Sequence, residues 1–477
     1  MGVSRADVGL RSERGPVLVA MMVSTALIAV DATILATAVP SVVADLGDFE
    51  RFPWLFSIYL LAQAVSVPIF SRLADTIGRK PVILTGIGFF LAGSILCGVA
   101  GDMTMLIIFR LVQGLGAGAV MPMTLTIVGD IYTVEERAKV QGYIASVWAV
   151  SSVIGPSVGG LLAQFANWRW IFFVNIPLCL LAGWIVLRRY QENVRATSLR
   201  IDLPGAITLT LGLSAVILAV LEGGNAWPWW SVPSVGIFAF GLVMLLIFGW
   251  VSRRSADPVV DLSLLARPLI ITTTAVSAGV GGLMTGITSF VPTYLENSIG
   301  LAPILAGLAV AGMLLGWPLA ATNAGRVYLR YGFRATVIIG SLIATAGAAV
   351  LVAVTPWPNP FTIGLGGFVV GFGLGWTAAP GLIAAQASVG WNERAAVTGM
   401  NMFARSAGSA VGVAVFGAIA TNVINKGAGE HDFATIVGAT WWVFVATVVV
   451  AVGMVVAALL MPRESVASPG QGEPAGE

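Results

Sequence analysis

The chain reads as long apolar runs separated by short polar turns. The runs fall at 16–40, 53–73, 81–100, 103–128, 139–165, 169–188, 203–222, 232–252, 268–292, 302–325, 335–354, 361–386, 396–422 and 436–461. An apolar run of about 18 residues or more is long enough for a helix to cross the hydrocarbon core of a bilayer. These runs are continuous, whereas the strands of a membrane barrel alternate apolar and polar positions in short segments. The pattern predicts an all-α integral membrane protein of about 14 transmembrane helices.

The two ends of the chain echo each other. Glu136-Arg137-Ala138, then Val140 and Gly142, return as Glu393-Arg394-Ala395, Val397 and Gly399. Gly114, Gly116 and Gly118, followed by Pro122, return as Gly371, Gly373 and Gly375, followed by Pro380. Arg72 and Gly78 return as Arg326 and Gly332, although Leu329 stands at the place of Asp75. The runs then group as six, two and six. This gives an N-terminal six-helix bundle over 1–190, an inserted helix pair over 191–267, a C-terminal six-helix bundle over 268–461 and a tail over 462–477. Parallel repeats with a pseudo-twofold relation are a transporter architecture, with the substrate site near the midplane between them.

Composition removes the soluble alternatives. The 477 residues are 57% hydrophobic and only 10% charged, against about 25% charge in a soluble protein. Twenty of the 25 Lys and Arg fall in turns or tails on one side of the predicted topology. Arg51, Arg169 and Lys426 fall on the other side, and Arg110 and Arg405 lie inside runs. The positive-inside rule then places both termini in the cytoplasm of a bacterial-type inner (plasma) membrane. Trp227-Pro228-Trp229-Trp230 in an outer turn reads as an interfacial aromatic anchor. Cys97 and Cys179 lie in apolar runs, so neither a disulfide framework nor a metal site is implied. His431, the one histidine, is in a polar loop, and no phosphate-binding glycine loop is present. An enzyme and a nucleotide-driven pump on this chain are both excluded by these gaps, and a net charge of +2 gives no ground for nucleic-acid binding.

Candidate chemistry follows from charges placed in lipid. Asp31 lies in the middle of the first run, where a charge costs about 2.5–3.5 kcal/mol on insertion scales. It reads either as a proton-coupling site or as a static partner for a buried arginine. Arg110, in the fourth run, stays charged and needs a partner or a watery cavity, and Asp31 is the candidate. Arg405, in the thirteenth run, either holds a polar or anionic substrate group or forms a structural pair. Tyr59, Gln63, Gln113, Trp148, Trp317, Asn323, Trp376 and Asn401 complete the candidate cavity residues. Ser151, Gly155 and Gly159 share one helix face beside Pro156, and small residues permit close helix crossing. The polar turn Ser71–Lys80 concentrates Arg72, Asp75, Arg79 and Lys80, with Gly78 for chain reversal. On its own it reads as a solvated topogenic loop or as a functional one.

Several of these stretches together resemble the major facilitator superfamily. Leu73, Asp75, Gly78, Arg79 and Lys80 match its loop pattern between the second and third spans, with Ser71 where glycine is usual. Arg110, Gln113 and Gly114 match its fourth-span motif, and Gly155-Pro156-Ser157-Val158-Gly159-Gly160 resembles its antiporter motif. Asp31 through Pro40, with Ala36 in place of a usual asparagine, and Trp168-Arg169-Trp170-Ile171-Phe172 with Asn175 and Pro177 are similar to the 14-span drug:proton antiporters. The resemblance implies a proton-coupled exporter of amphiphilic small molecules or drugs, working by alternating access. Asp31 and Arg110 would couple the proton. Asp75 with Arg72, Gly78, Arg79 and Lys80 would form a conformational latch. Gly155, Pro156, Gly159 and Gly160 would form a close-packed hinge. It also implies protons as the coupling ion, no further cofactor, membrane lipid as surroundings and a monomer. An exporter of lipids or lipid-linked metabolites, and a non-transporting membrane receptor or scaffold, are the rival readings.

Overall fold

A computed structural model describes residues 8–47, 51–52, 54–192, 202–223, 227–228, 231–255, 258–301, 303–426 and 432–463. Trp229, Trp230, His431 and the tail beyond Arg463 lie outside these described residues. The described chain is helical: α1 (Gly15–Leu46), α2 (Trp54–Ile77), α3 (Arg79–Gly98), α4 (Met103–Ile131), α5 (Val134–Phe165), α6 (Trp170–Phe173), α7 (Asn175–Arg189), α8 (Leu203–Glu222), α9 (Val232–Ser252), α10 (Leu262–Leu265), α11 (Pro268–Ile299), α12 (Pro303–Tyr331), α13 (Phe333–Val354), α14 (Pro360–Ala387), α15 (Trp391–Lys426) and α16 (Phe433–Leu459). Polar residues at the run boundaries start the helices. Asp102, Asp202, Ser231, Asn359 and Asp432 each accept a hydrogen bond from a first-turn N–H. Such caps satisfy donors that no helical carbonyl can reach.

Thirteen helical segments among the described residues are long and apolar enough to cross a membrane, one of them joining α6 to α7. The sequence predicts about 14, and the difference is α5. The side chains at positions 152, 153, 156, 163 and 164 of that helix lie outside the described residues, so it is not among the thirteen. Its ends nevertheless match those of α1. Arg14, just before α1, donates to Glu136 at 2.9 Å. At the other end Trp168 and Arg169, just after α5, donate to Asp45 at 3.0 and 2.6 Å. The Arg169 guanidinium and the Trp168 indole hold the Asp45 carboxyl below the usual carboxylate range. With 32 residues, α5 therefore runs the full depth of the bundle.

Packing follows the sequence repeat. In the first helix set, α1 packs on α5 and α7, and α4 packs between α2 and α3. In the second set, α11 packs on α15 and α16, and α14 packs between α12 and α13. The glycines of the repeat explain the closeness of α3 to α4. A Cβ at Gly116 would stand 2.4 Å from the Phe90 nitrogen and 2.6 Å from the Gly86 carbonyl oxygen. Backbone cannot yield as a side chain can, so this crossing admits only glycine. The main crossings between the sets are α2 with α15 and α5 with α12, and α4 also touches α15. The pair α8–α9 lies to the side and touches α2 and α15 through α8.

One turn differs from its expectation. Ser71–Lys80 reads as a polar loop, yet α2 continues to Ile77 and α3 begins at Arg79. The connection is Gly78 alone, at φ +99°. Gly332 repeats it between α12 and α13 at φ +84°. Side-chain-bearing residues avoid that region, which is why glycine recurs at both reversals.

Candidate functional site

Asp31 sits near the midpoint of α1 and is 1% exposed. Its Oδ2 accepts from Arg110 Nη1 at 2.7 Å. Its Oδ1 accepts from Gln113 Nε2 at 2.9 Å and from Asn175 Nδ2 at 3.3 Å. Arg110 also donates to Gln113 Oε1 at 2.6 Å and, through Nε, to the Leu55 carbonyl at 3.1 Å. Tyr59 closes the site, its ring centroid 4.2 Å from the Arg110 guanidinium. Ser94 accepts from both Gln113 and Asn175. Asp31 and Arg110 are thus paired as the sequence suggests, and Gln113 and Tyr59, read there as cavity candidates, lie with them. Ser94 and Asn175, which complete the network, carry no sequence signal that separates them from other small polar residues in spans. The Asp31–Arg110 pair is thus held by groups from five helices, α1, α2, α3, α4 and α7, and losing the carboxylate charge would leave Arg110 without its counter-charge.

The other cavity candidates divide. Arg405, near the middle of α15, is half-buried and has no hydrogen-bond or ion-pair partner among the described residues. Trp376 buries an indole N–H without a partner. Gln63, Trp148 and Trp317 are half-buried. Asn401 is buried: its Oδ1 accepts from Ser277 at 2.8 Å and its Nδ2 donates to the Val397 carbonyl, so in this state it ties α15 to α11. Asn323 lies elsewhere in this state. It is exposed, bonds the Leu319 carbonyl of its own helix and lies one turn from Arg326.

A clamp joins the two helix sets at the end rich in Lys and Arg. Asp75 accepts from the backbone N–H groups of Ala395 and Ala396, at 3.1 and 2.7 Å. It thereby places a negative charge near the N-terminus of α15, where the helix dipole favours one. Arg79, wholly buried, pairs with Asp75 at 3.0 Å and Asp130 at 3.0 Å. It also donates to the Trp391 carbonyl and stacks 3.5 Å from the Trp391 ring centroid. Asp130 receives Arg394 at 2.6 Å, and Tyr328 donates to the Val134 carbonyl at 3.1 Å. Glu192 accepts from the N–H groups of Arg79 and Lys80, both at 2.9 Å, and so caps α3 where Gly78 offers no side chain. Lys80 reaches the Leu187 carbonyl at 3.0 Å. Asp75 and Arg79 are therefore interior groups and not members of a solvated loop. Ser71 packs against Gly399, whose Cβ would stand 2.3 Å from its hydroxyl. The apolar cores show the same asymmetry. At the clamp, Ala395 and Met402 join the core of the first set, whereas at the opposite end Ile34, Leu55, Leu106, Trp168 and their neighbours cluster within the first set alone.

In α5, a Cβ at Gly155 would stand 2.0 Å from Thr33 Oγ1, and Thr33 donates to the Ser151 carbonyl at 3.2 Å. Gly155 thus marks the close crossing of α1 and α5, and Gly159 is buried on the same helix. Gly160 has open space around its Cβ position and takes no part in that crossing. The helix continues through Pro156, whose side chain lies outside the described residues.

Repeated helix sets, clamped at one end and holding a buried ion pair in their spans, define a membrane transporter. The chain belongs to the Major Facilitator Superfamily, whose sequence pattern matches residues 21–413. It is a transporter and not an enzyme. Among its relatives, Multidrug resistance protein 3 of Bacillus subtilis is 32% identical over 415 residues, covering 86% of this chain and 80% of that one. Multidrug transporter protein MdtP of the same organism is 30% identical over 411 residues, covering 86% and 76%. The crystal structure of the human organic anion transporter MFSD10 (TETRAN) shares the fold at a TM-score of 0.63 and 16% identity, covering 92% of this chain and 99% of that one. A bacterial homologue of the iron transporter ferroportin, crystallised in an outward-facing state, does so at 0.64 and 11%, covering 93% and 99%.

Proposed function

We propose that the protein is a proton-coupled exporter of amphiphilic small molecules of the drug type. Two six-helix bundles, residues 1–190 and 268–461, rock against each other to give alternating access, with the helix pair of 191–267 beside them. The observation that carries this reading is the sealed Asp31–Arg110 pair at mid-span. A carboxylate there is costly and marks function by default. The names of the two Bacillus relatives support the drug-export part. The excess of Lys and Arg makes the clamped end cytoplasmic, in a bacterial-type inner membrane. The clamped state is then the one open to the outside. Asp31 is sealed in it, so proton exchange requires the helices to shift, which is the requirement of coupling. The protein works as a monomer with substrate, protons and lipid.

Reconstitution into proteoliposomes tests this. An imposed pH gradient is expected to drive uptake of a monocationic amphiphilic dye against its own gradient. Uptake indifferent to the pH gradient would contradict it. Arg405 sets a further expectation on substrate charge. A half-buried cation without a protein partner is available to an anionic group, and a hydrogen bond to a charged group is worth about 1.5–3 kcal/mol. Arg405→Gln is expected to lower kcat/KM for an anionic amphiphile about tenfold or more while a neutral analogue changes little. Equal losses for both would make Arg405 a structural residue.

A further inference from the structure

At the clamped end lies a cavity of about 680 Å³ whose walls come from both helix sets. Its charged lining is Arg14, Arg137, Arg334, Arg394, Asp130 and Glu135. Three of these six charges, Arg14, Asp130 and Arg394, are already engaged. Arg14 donates to Glu136, and Asp130 is held between Arg79 and Arg394. Two guanidinium groups are not satisfied among the described residues. Arg137 is 5% exposed. Its Nε and Nη2 donate to the carbonyls of Tyr132 and Gly129. Its Nη1 is buried without a partner. Arg334, from the second set, donates through Nη2 to the Leu459 carbonyl at 2.5 Å, and its Nε is buried without a partner. Arg394 is near enough to oppose the charge of Arg137, so Asp130 does not neutralise both. The first turn of α13 also lines the cavity through Phe333 and Arg334, and its N-cap, Gly332, supplies no side-chain cap. Backbone donors there add to an electropositive wall.

We propose that this cavity binds a phosphate-type oxyanion, supplied as free phosphate or as the headgroup of an anionic phospholipid, with Arg137 Nη1 and Arg334 Nε as its donors. Orphaned buried donors are costly, and a planar guanidinium matches phosphate oxygens well. The two arginines belong to different helix sets and both line this cavity in the clamped state. The bound anion therefore favours the clamped state through contacts that the open state lacks.

The test uses the full-length protein in nanodiscs, with thermal unfolding as the readout. In one arm inorganic phosphate is titrated into phosphatidylcholine discs at constant ionic strength, with chloride as the control. In the other arm phosphatidylglycerol replaces part of the phosphatidylcholine. A rise in the midpoint is expected in at least one arm, by linkage of binding to folding. A response to phosphate alone assigns the free anion, and a response to phosphatidylglycerol assigns the headgroup. In Arg334→Gln, a half-exposed site whose change the fold tolerates, the apparent affinity in the responding arm is expected to fall about tenfold. Arg137→Lys, which keeps the charge and loses the fork, is expected to fall likewise. No rise in either arm, or a rise of equal size and midpoint concentration in Arg334→Gln, would overturn the proposal.

Discussion

Asp31→Asn is expected to abolish pH-driven transport and to lower the thermal midpoint of the purified protein. Asp31 accepts from three donors on its two oxygens. An asparagine has one acceptor oxygen, and its NH₂ would face another donor. Arg110 would then be a buried cation without a counter-charge, a loss of about 3–5 kcal/mol. The companion change Arg110→Gln removes that stranded charge. In Asp31→Asn/Arg110→Gln, stability is expected to recover in large part while transport remains uncoupled from the pH gradient. A static structural pair would behave differently. The double variant would then transport as the native protein does, because charge balance would be all that mattered. Measuring unfolding and flux on the four proteins of this cycle separates the two roles.

Asp75→Asn is expected to open the clamp. Asp75 holds Ala395 N–H, Ala396 N–H and Arg79, all across or beside the contact between the helix sets. Hydrogen bonds to a charged group contribute about 1.5–3 kcal/mol each. Losing the equivalent of one of them shifts the ratio of clamped to open molecules by about tenfold or more. The crossing of α5 and α12 gives a reporter. A Cβ at Gly142 would meet Thr322 at an ordinary 3.5 Å, so Gly142→Cys fits the clamped state and is covered by it. Native Cys97 and Cys179 are both buried. Alkylation of Gly142→Cys is expected to speed up about tenfold when Asp75→Asn is added. An unchanged rate would leave Asp75 as a helix-capping residue without a role in the conformational balance.

The sequence exposes those features that hydrophobic solvent makes expensive. A charge in an apolar run must be paired, so Asp31 and Arg110 could be matched before any coordinates. The repeat showed which helices correspond, and Gly78 and Gly332 turned out to share one backbone conformation. Small polar residues were less legible. Ser66 and Thr124 return their hydroxyls to their own helix, to the carbonyls of Ala62 and Val120. Ser94 instead joins the Asp31 network, and nothing in its local sequence marks the difference. Polarity along the chain also misplaced the second reversal. The stretch looks like a loop because it is polar, but its Ser71 and Asp75 face α15 and not water. The hydrogen bond of Asn401 was not legible for a related reason: its partner Ser277 is 124 positions away. The fourteenth span was legible by length, and α5 runs there over 32 residues against α1 and α12.

The central claim is that Asp31 carries the proton exchanged for substrate. It is tested most directly by proton release. Purified protein is held in weakly buffered detergent solution, and the pH is recorded as a transported amphiphile is added. The expected result is a saturable release of protons from the native protein and none from Asp31→Asn/Arg110→Gln at matched stability. Equal release from both would contradict the assignment, because the proton would then leave from another group.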